Sequence, residues 1–308
     1  MKIYSGSANQ KLAELIAKEL HVPLYLPEKF IFPDREERIR VLERVVDEEI
    51  VLIQPLTPPV NEHIIEASFL VDALKRSGAK TVFLITPYLG YQRQDHIFRD
   101  GEAVSLDVVI KILEVVGVDK ILMFELHSIK IPELFNIPVV HLSALPIFAK
   151  EINRLGFNDG NSVLISPDMG GIRRIKQLSE ILNDMPYVSI EKDRDLATGG
   201  IEAKEIKGAQ NIQLAGKRGI IVDDMISGGG TMVKASGLLK KNGIGDIYIF
   251  ATHAIFSQNA PILLQESIAE KVFITDTVFV NKNKHFPKLE VLSVAPLIAE
   301  EIKKQFDF

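Results

Sequence analysis

One run of residues carries the densest chemistry in the sequence: Val222-Asp223-Asp224-Met225-Ile226-Ser227-Gly228-Gly229-Gly230-Thr231. It follows a β-branched apolar stretch and leads into an amphipathic one, the strand, loop and helix setting that a phosphate site needs. Gly228, Gly229 and Gly230 let main-chain N–H groups crowd around an anion. Ser227 and Thr231 add hydroxyl donors, and the helix that follows presents the positive end of its dipole. The acidic pair Asp223 and Asp224 suits ribose hydroxyls, which call for strong acceptors. A flexible glycine turn beside an acidic helix cap is the plain alternative, but it leaves the hydroxyls on both flanks of the glycines without a purpose.

Other loops hold candidates of a similar kind. In Pro87-Tyr88-Leu89-Gly90-Tyr91-Gln92-Arg93-Gln94-Asp95 the Arg93 guanidinium is a fork for phosphate oxygens, although Arg93 with Asp95 could equally form a solvated ion pair. In Ser166-Pro167-Asp168-Met169-Gly170-Gly171, Asp168 is a hard oxygen donor suited to Mg²⁺ and also a natural helix cap, two jobs that are compatible. Lys192 and Arg194 alternate along an extended stretch and so project to one side, ahead of a segment, Asp195–Gly200, whose glycines suit a lid. His127, in Phe124-Glu125-Leu126-His127, would alone read as a structural histidine, and Phe32-Pro33-Asp34-Arg35-Glu36 as an ordinary acidic loop.

The elements that must position these residues can be read from the apolar runs. Ile50–Gln54, Thr81–Ile85, Lys120–Phe124, Ser162–Ile165, Gly219–Val222 and Asp246–Ala251 predict buried parallel strands. The amphipathic stretches Val60–Arg76, Ser105–Val115 and Met232–Lys241 are long enough for crossover helices. The alternation predicts an α/β fold with doubly wound parallel sheets, in which ligands bind beyond the carboxyl ends of the strands. A seam near Leu142–Pro146 divides the chain into an N-terminal domain over 1–145 and a C-terminal domain over 146–308. The last helix, about 293–308, is expected to dock on the first domain.

Composition narrows the function classes. The 308 residues are 46% hydrophobic and 25% charged, the profile of a globular protein rather than a disordered or fibrous one. A net charge of −5 gives no basic face for a polyanion, so nucleic acid is not an expected partner and phosphate must be met by local sites. With no cysteine, a metal could be held only by oxygen or histidine. The start, Met1-Lys2-Ile3-Tyr4-Ser5-Gly6, lacks the apolar run of a signal peptide, and no stretch reaches the ~18 apolar residues of a membrane span, which makes the cytoplasm the expected location.

Taken in order, these motifs resemble those of the ribose-phosphate pyrophosphokinases, whose domains have the type I phosphoribosyltransferase fold. The resemblance runs from Ser5-Gly6-Ser7 to Leu292-Ser293-Val294-Ala295-Pro296. It implies two tandem domains of that kind, Mg²⁺ as cofactor, ATP and ribose 5-phosphate as substrates, and transfer of the β,γ-diphosphate of ATP to O1 of the sugar. It further implies that Phe32, Asp34 and Glu36 hold adenine across a subunit boundary, which requires at least a homodimer. Arg93, Gln94 and Asp95 complete the ATP site, and His127 and Asp168 sit at the metal. Asp168, Asp223, Asp224, Ser227, Gly228, Gly229, Gly230 and Thr231 bind ribose 5-phosphate. Lys192, Arg194 and His127 are catalytic. Two rivals share the resemblance: a phosphoribosyltransferase of the same fold, which would not need the ATP segments, and a catalytically weak regulatory subunit of a true synthase.

The sequence departs from the family pattern at several points. Arg35 replaces a glycine, Glu125 replaces an aspartate, and Ser227-Gly228-Gly229 is a variant of the loop. Many members of the family also carry a second phosphate-type site between subunits, for activation by inorganic phosphate and inhibition by ADP. Its Ser-Ile-Arg-Gly stretch reads Arg44-Val45-Val46-Asp47 here, followed by Glu48 and Glu49, and Gly101 occupies a further position that is basic in the family. Little dependence on phosphate is therefore expected.

Overall fold

The computed structural model describes residues 1–194, 201–208 and 212–306, with main chain alone at 192–194 and 201–204. The chain divides into two compact units, Met1–Leu142 with Thr277–Phe279 and Ser293–Phe308, and Ser143–Asp276 with Val280–Leu292.

Unit 1 begins with β1 (Lys2–Ser5), α1 (Gln10–Leu20), β2 (Leu24–Tyr25), the strands β3 (Glu28–Ile31) and β4 (Glu37–Arg40), β5 (Glu49–Ile53) and α2 (Val60–Arg76). It continues through β6 (Thr81–Ile85), α3 (Ser105–Val115), β7 (Lys120–Phe124) and β8 (Val139–Leu142). Among the described residues these form a six-stranded sheet in the order β2-β1-β5-β6-β7-β8, parallel throughout, and an antiparallel β3-β4 hairpin. Ile50, Val51, Leu52 and Ile53 are fully buried, as a strand with both faces covered requires. The final helix α8 (Ala295–Phe306) belongs to this unit. It packs against α1 through a face that includes Ile298, Ala299 and Ile302.

Unit 2 comprises α4 (Leu145–Arg154), β9 (Ser162–Ser166), α5 (Ile172–Ile181), β10 (Tyr187–Arg194), β11 (Ile201–Lys207), β12 (Arg218–Ile226) and α6 (Gly230–Lys241). After these come β13 (Ile247–Ala254), α7 (Ala260–Glu266), β14 (Lys271–Thr275) and β15 (Leu289–Leu292). Among the described residues its sheet has seven strands, in the order β11-β10-β9-β12-β13-β14-β15, parallel except for the antiparallel β10-β11 pair.

The predicted α/β class with parallel sheets is the one observed, and two boundaries that matter for the site differ. β12 does not stop at Val222: pairing with β13 continues through Asp223↔Ala251, Met225↔His253 and Ile226↔Ala254. The acidic pair is therefore part of a strand, held by ladder hydrogen bonds, rather than the opening of a loop. α6 also starts earlier than its apolar pattern suggested, at Gly230, so the last glycine of the loop is the first residue of the helix.

Candidate active site

The unit 2 site is built where β12 turns into α6. Gly229 is the N-cap of α6 at φ +78° and ψ −18°, a conformation that costs any other residue a Cβ clash. Next to it, a Cβ on Gly230 would meet nothing within 4 Å, so the space over the first turn is open. The first N–H groups of that turn have no partner within the helix. Ser227 is tied to the loop after β13 from both ends, its Oγ lying 3.1 Å from Oγ of Ser257 and its carbonyl accepting the Ser257 N–H at 3.1 Å.

Behind the loop lie the two carboxylates, and they are not alone. Nη1 of Arg174 on α5 donates to Oδ1 of Asp223 at 3.1 Å, and its Nη2 is 3.6 Å from Oδ2 of Asp224. Burial first, and then the neighbouring Asp224 carboxylate, push Asp223 well above the usual carboxylate range against the pull of Arg174; Asp168 adds to the rise. Asp168 itself stands at the end of β9 and caps the turn before α5, its Oδ1 accepting the Gly171 N–H at 3.2 Å. A Cβ on Gly171 would lie 2.4 Å from Oγ of Ser166, so a larger residue there would have to displace that hydroxyl. Helix-start N–H groups and hydroxyls thus accompany two carboxylates and one guanidinium, a set of groups able to meet a phosphate and sugar hydroxyls.

Unit 1 carries the remaining candidates in two places. Phe32, Asp34 and Glu36 are exposed at the tip of the β3-β4 hairpin, which closes through Phe32 N–H to the Glu36 carbonyl at 2.8 Å and Arg35 N–H to the Phe32 carbonyl at 2.9 Å. The Phe30 and Phe32 rings meet edge to face at 4.9 Å, with the Arg38 guanidinium over both. Arg35, at the position where the family has glycine, sits at φ +75°. The second place joins the loops after β6 and β7. Arg93 and Gln94 are exposed, Oδ1 of Asp95 is 2.7 Å from Nδ1 of His96, and the His127 N–H donates to Oε1 of Gln92 at 3.0 Å.

Comparison with known proteins decides what this arrangement belongs to. The profile for the N-terminal domain of ribose phosphate pyrophosphokinase matches residues 1–117, and that for the phosphoribosyl synthetase-associated domain matches residues 195–307. The chain is 34% identical to the ribose-phosphate pyrophosphokinase of Gloeobacter violaceus over 98% of its own length and 89% of the relative's. It is also 34% identical to that of Fusobacterium nucleatum over 99% and 94%. The crystal structure of phosphoribosylpyrophosphate synthetase from Mycobacterium smegmatis superposes with a TM-score of 0.91 at 33% identity, covering 99% of this chain and 98% of that one. The chain belongs to the ribose-phosphate pyrophosphokinase family.

Within this pyrophosphokinase, Asp168, Asp223, Asp224 and the Ser227–Thr231 loop are neighbours in unit 2, while the hairpin tip and the Arg93 to His127 region are separate features of unit 1. The side chains of Lys192 and Arg194 lie outside the described residues; their main chain ends β10, in register with Ala203 and Ile201. Asp195–Gly200 lies outside them entirely. Sequence reasoning missed Arg174 and Gln92. Arg174 had a signal: two arginines open α5, where the helix dipole disfavours cations, so a strong partner was to be sought. Gln92 had none, because an uncharged residue beside Arg93 is unremarkable in one dimension. Among the described residues, no three His, Asp or Glu side chains are grouped to hold a metal.

Proposed function

We propose that O1 of ribose 5-phosphate attacks the β-phosphorus of ATP in line, giving up its proton to solvent, the bond from the β-phosphorus to the α,β-bridging oxygen breaks, and AMP leaves with that oxygen as 5-phosphoribosyl 1-diphosphate forms. The observation that carries this is the open first turn of α6, backed by Asp223, Asp224 and Arg174. The phosphate of ribose 5-phosphate would occupy the Ser227–Thr231 turn, where dipole and N–H groups favour an anion. Its hydroxyls would be accepted by the acidic pair, with Arg174 holding the carboxylates in register. Arg93, Gln94 and Asp95 would bind the nucleotide's phosphate side, and Phe32, Asp34 and Glu36 its adenine. Lys192, Arg194 and His127 would offset charge that builds on the transferred diphosphate, so catalysis rests on positioning and preorganised charge.

Asp168, at the end of β9, would suit Mg²⁺ as a hard oxygen donor, and the family resemblance makes His127 of unit 1 a second candidate ligand. An ion held by so few protein groups takes its remaining ligands from water and substrate phosphates, as Mg²⁺ does in kinase sites. When bound it would supply charge neutralisation to the β- and γ-phosphates.

A hairpin tip with Phe30 46%, Ile31 55% and Phe32 38% exposed is poorly used by a lone chain, which supports a homodimer in which each tip serves its neighbour. Dilution below the dimer dissociation constant should then abolish activity; a fully active monomer by light scattering would refute the shared site. The expected location is the cytoplasm, where multiply charged phosphate substrates are retained. No helix among the described residues is long and apolar enough to cross a membrane.

The deciding experiment mixes the purified protein with Mg·ATP and ribose 5-phosphate. AMP and phosphoribosyl diphosphate should appear in equal amounts. ATP binding without product would favour the regulatory-subunit reading, and absence of saturable ATP binding would favour a phosphoribosyltransferase.

A further inference from the structure

Three consecutive main-chain amides lead into His127, and each has a different acceptor. Glu125 N–H donates to the Leu142 carbonyl at the end of β8 at 3.1 Å. Leu126 N–H donates to Nε2 of His141, also on β8, at 3.2 Å. His127 N–H donates to Oε1 of Gln92 in the loop after β6 at 3.0 Å, across 35 positions of sequence. The turn so fixed is one the chain would not hold unaided, because Glu125 sits at φ +32°. Such main-chain strain costs on the order of 1–3 kcal/mol and persists only where the surroundings over-determine it.

Gln92 is the unusual member of the three. It is 1% exposed, and because its Oε1 faces an N–H donor, its Nε2 is left buried with no hydrogen-bond partner among the described residues. A buried amide nitrogen without a partner is destabilising, and a methionine would fill the same space without that cost. What glutamine offers over methionine at this position is therefore the acceptor for the His127 N–H.

We infer that Gln92 is a positioning residue for the reaction: its Oε1 fixes the main chain that presents His127 and couples it to the adjacent Arg93-Gln94-Asp95 segment. Gln92 touches no substrate in this scheme; it acts through His127. The inference rests on the role proposed above for His127.

The test uses Gln92→Met, which keeps the bulk and removes the acceptor, in the full-length protein. Hydrogen exchange of the His127 amide should quicken about tenfold while that of Leu126 stays unchanged, since only one of the two loses its acceptor. Turnover should fall about tenfold with the KM for ribose 5-phosphate within about twofold of normal. In a His127→Ala background the same change should cost nothing further, because a residue that acts through His127 has nothing left to position. Gln92→Glu retains an acceptor of equal reach and should keep the His127 amide protected; it serves as the readout if Gln92→Met does not fold. Unchanged exchange at His127 in Gln92→Met, lost protection in Gln92→Glu, or a full penalty from Gln92→Met on top of His127→Ala overturns the inference. Exchange is read without turnover, so the two readings fail separately: unaltered protein that forms no phosphoribosyl diphosphate overturns the proposed function and the catalytic half of this inference, even with the His127 amide protected.

Discussion

Asp223 holds its place by geometry at the expense of charge. Its pKa in the folded protein lies above the unfolded value, for burial and Asp224 both disfavour the carboxylate. Folding therefore takes up a proton at this site between the two values. The stability contributed by protonated Asp223 is complete below the ordinary carboxylate range and is lost as pH rises through the raised pKa. Asp223→Asn should raise the thermal midpoint at pH 7, by about 2–4 °C for each kcal/mol relieved, with the gain vanishing as pH falls toward about 4. It should also raise the KM for ribose 5-phosphate. Calorimetry across that pH range decides the matter, and a lowered midpoint at pH 7 would contradict it. Lys192→Ala belongs to the opposite kind of site: turnover should fall by orders of magnitude with ATP affinity nearly intact, because the charge it answers develops in the transition state. Normal turnover in that variant would remove Lys192 from the mechanism. What was legible at this scale was residue type. Asp223, Asp224 and the glycines mark a candidate sugar phosphate site by residue type, whereas the Arg174 to Asp223 pair spans 49 positions and belongs to the fold.

At the scale of elements, the apolar runs located the strands that carry the loops, because a strand buried on both faces leaves no polar position to obscure the pattern. The same logic failed where polarity enters a strand. Asp223 and Asp224 end the apolar run at Val222, yet the main chain goes on pairing with β13, and a ladder hydrogen bond leaves no mark on side-chain pattern. The β3-β4 hairpin was invisible for a related reason, since Phe30 and Ile31 face outward and supply no buried alternation. In the Ser227–Thr231 loop, two adjacent glycines separate conformation from space. Gly229→Ala forces a side chain onto φ +78°, and its nearest contact, Ala260 at 3.5 Å, is ordinary, so the cost is in the main chain, about 1–2 kcal/mol. The midpoint should drop by a few degrees and the KM for ribose 5-phosphate should rise. Gly230→Ala meets nothing within 4 Å and has an allowed helical conformation, so the fold should keep its midpoint while the methyl intrudes on the proposed phosphate position, raising the KM for ribose 5-phosphate. Equal loss of stability in both variants would mean that the loop is a structural cap and nothing more.

For the whole molecule the open question is regulation, and the segment Arg44 to Glu49 bears on it. The stretch that in many relatives forms a phosphate-type site is anchored here by its own ion pairs. Glu48 is 3.4 Å from the N-terminal amine and 3.9 Å from Nζ of Lys2, and Nζ of Lys80 is 3.8 Å from Glu49. The Lys2 ammonium also donates to the Arg44 carbonyl, Val45 is fully buried, and Asp47 turns the chain at φ +60° with its N–H on the Gly78 carbonyl at 2.9 Å. Lys2, Lys80 and the N-terminal amine are thus engaged by Glu48 and Glu49, and Asp47 adds a further carboxylate to the loop. With those cations engaged, little positive charge is on offer to a phosphate, and repulsion from one carboxylate about 4 Å away, on the order of 1 kcal/mol even at the dielectric of water, weakens a regulatory site further. Gly101, with nothing within 4 Å of where its Cβ would be, brings no cation to compensate. Activity should accordingly be independent of inorganic phosphate, and ADP should compete with ATP at the active site alone. Initial rates in phosphate-free buffer, with ATP varied at several fixed ADP concentrations, should give lines that share one maximal velocity. An absolute need for phosphate, or ADP inhibition that saturating ATP fails to relieve, would show that an anion site persists between subunits despite these acids, and would point to Arg44 as the cation that sustains it.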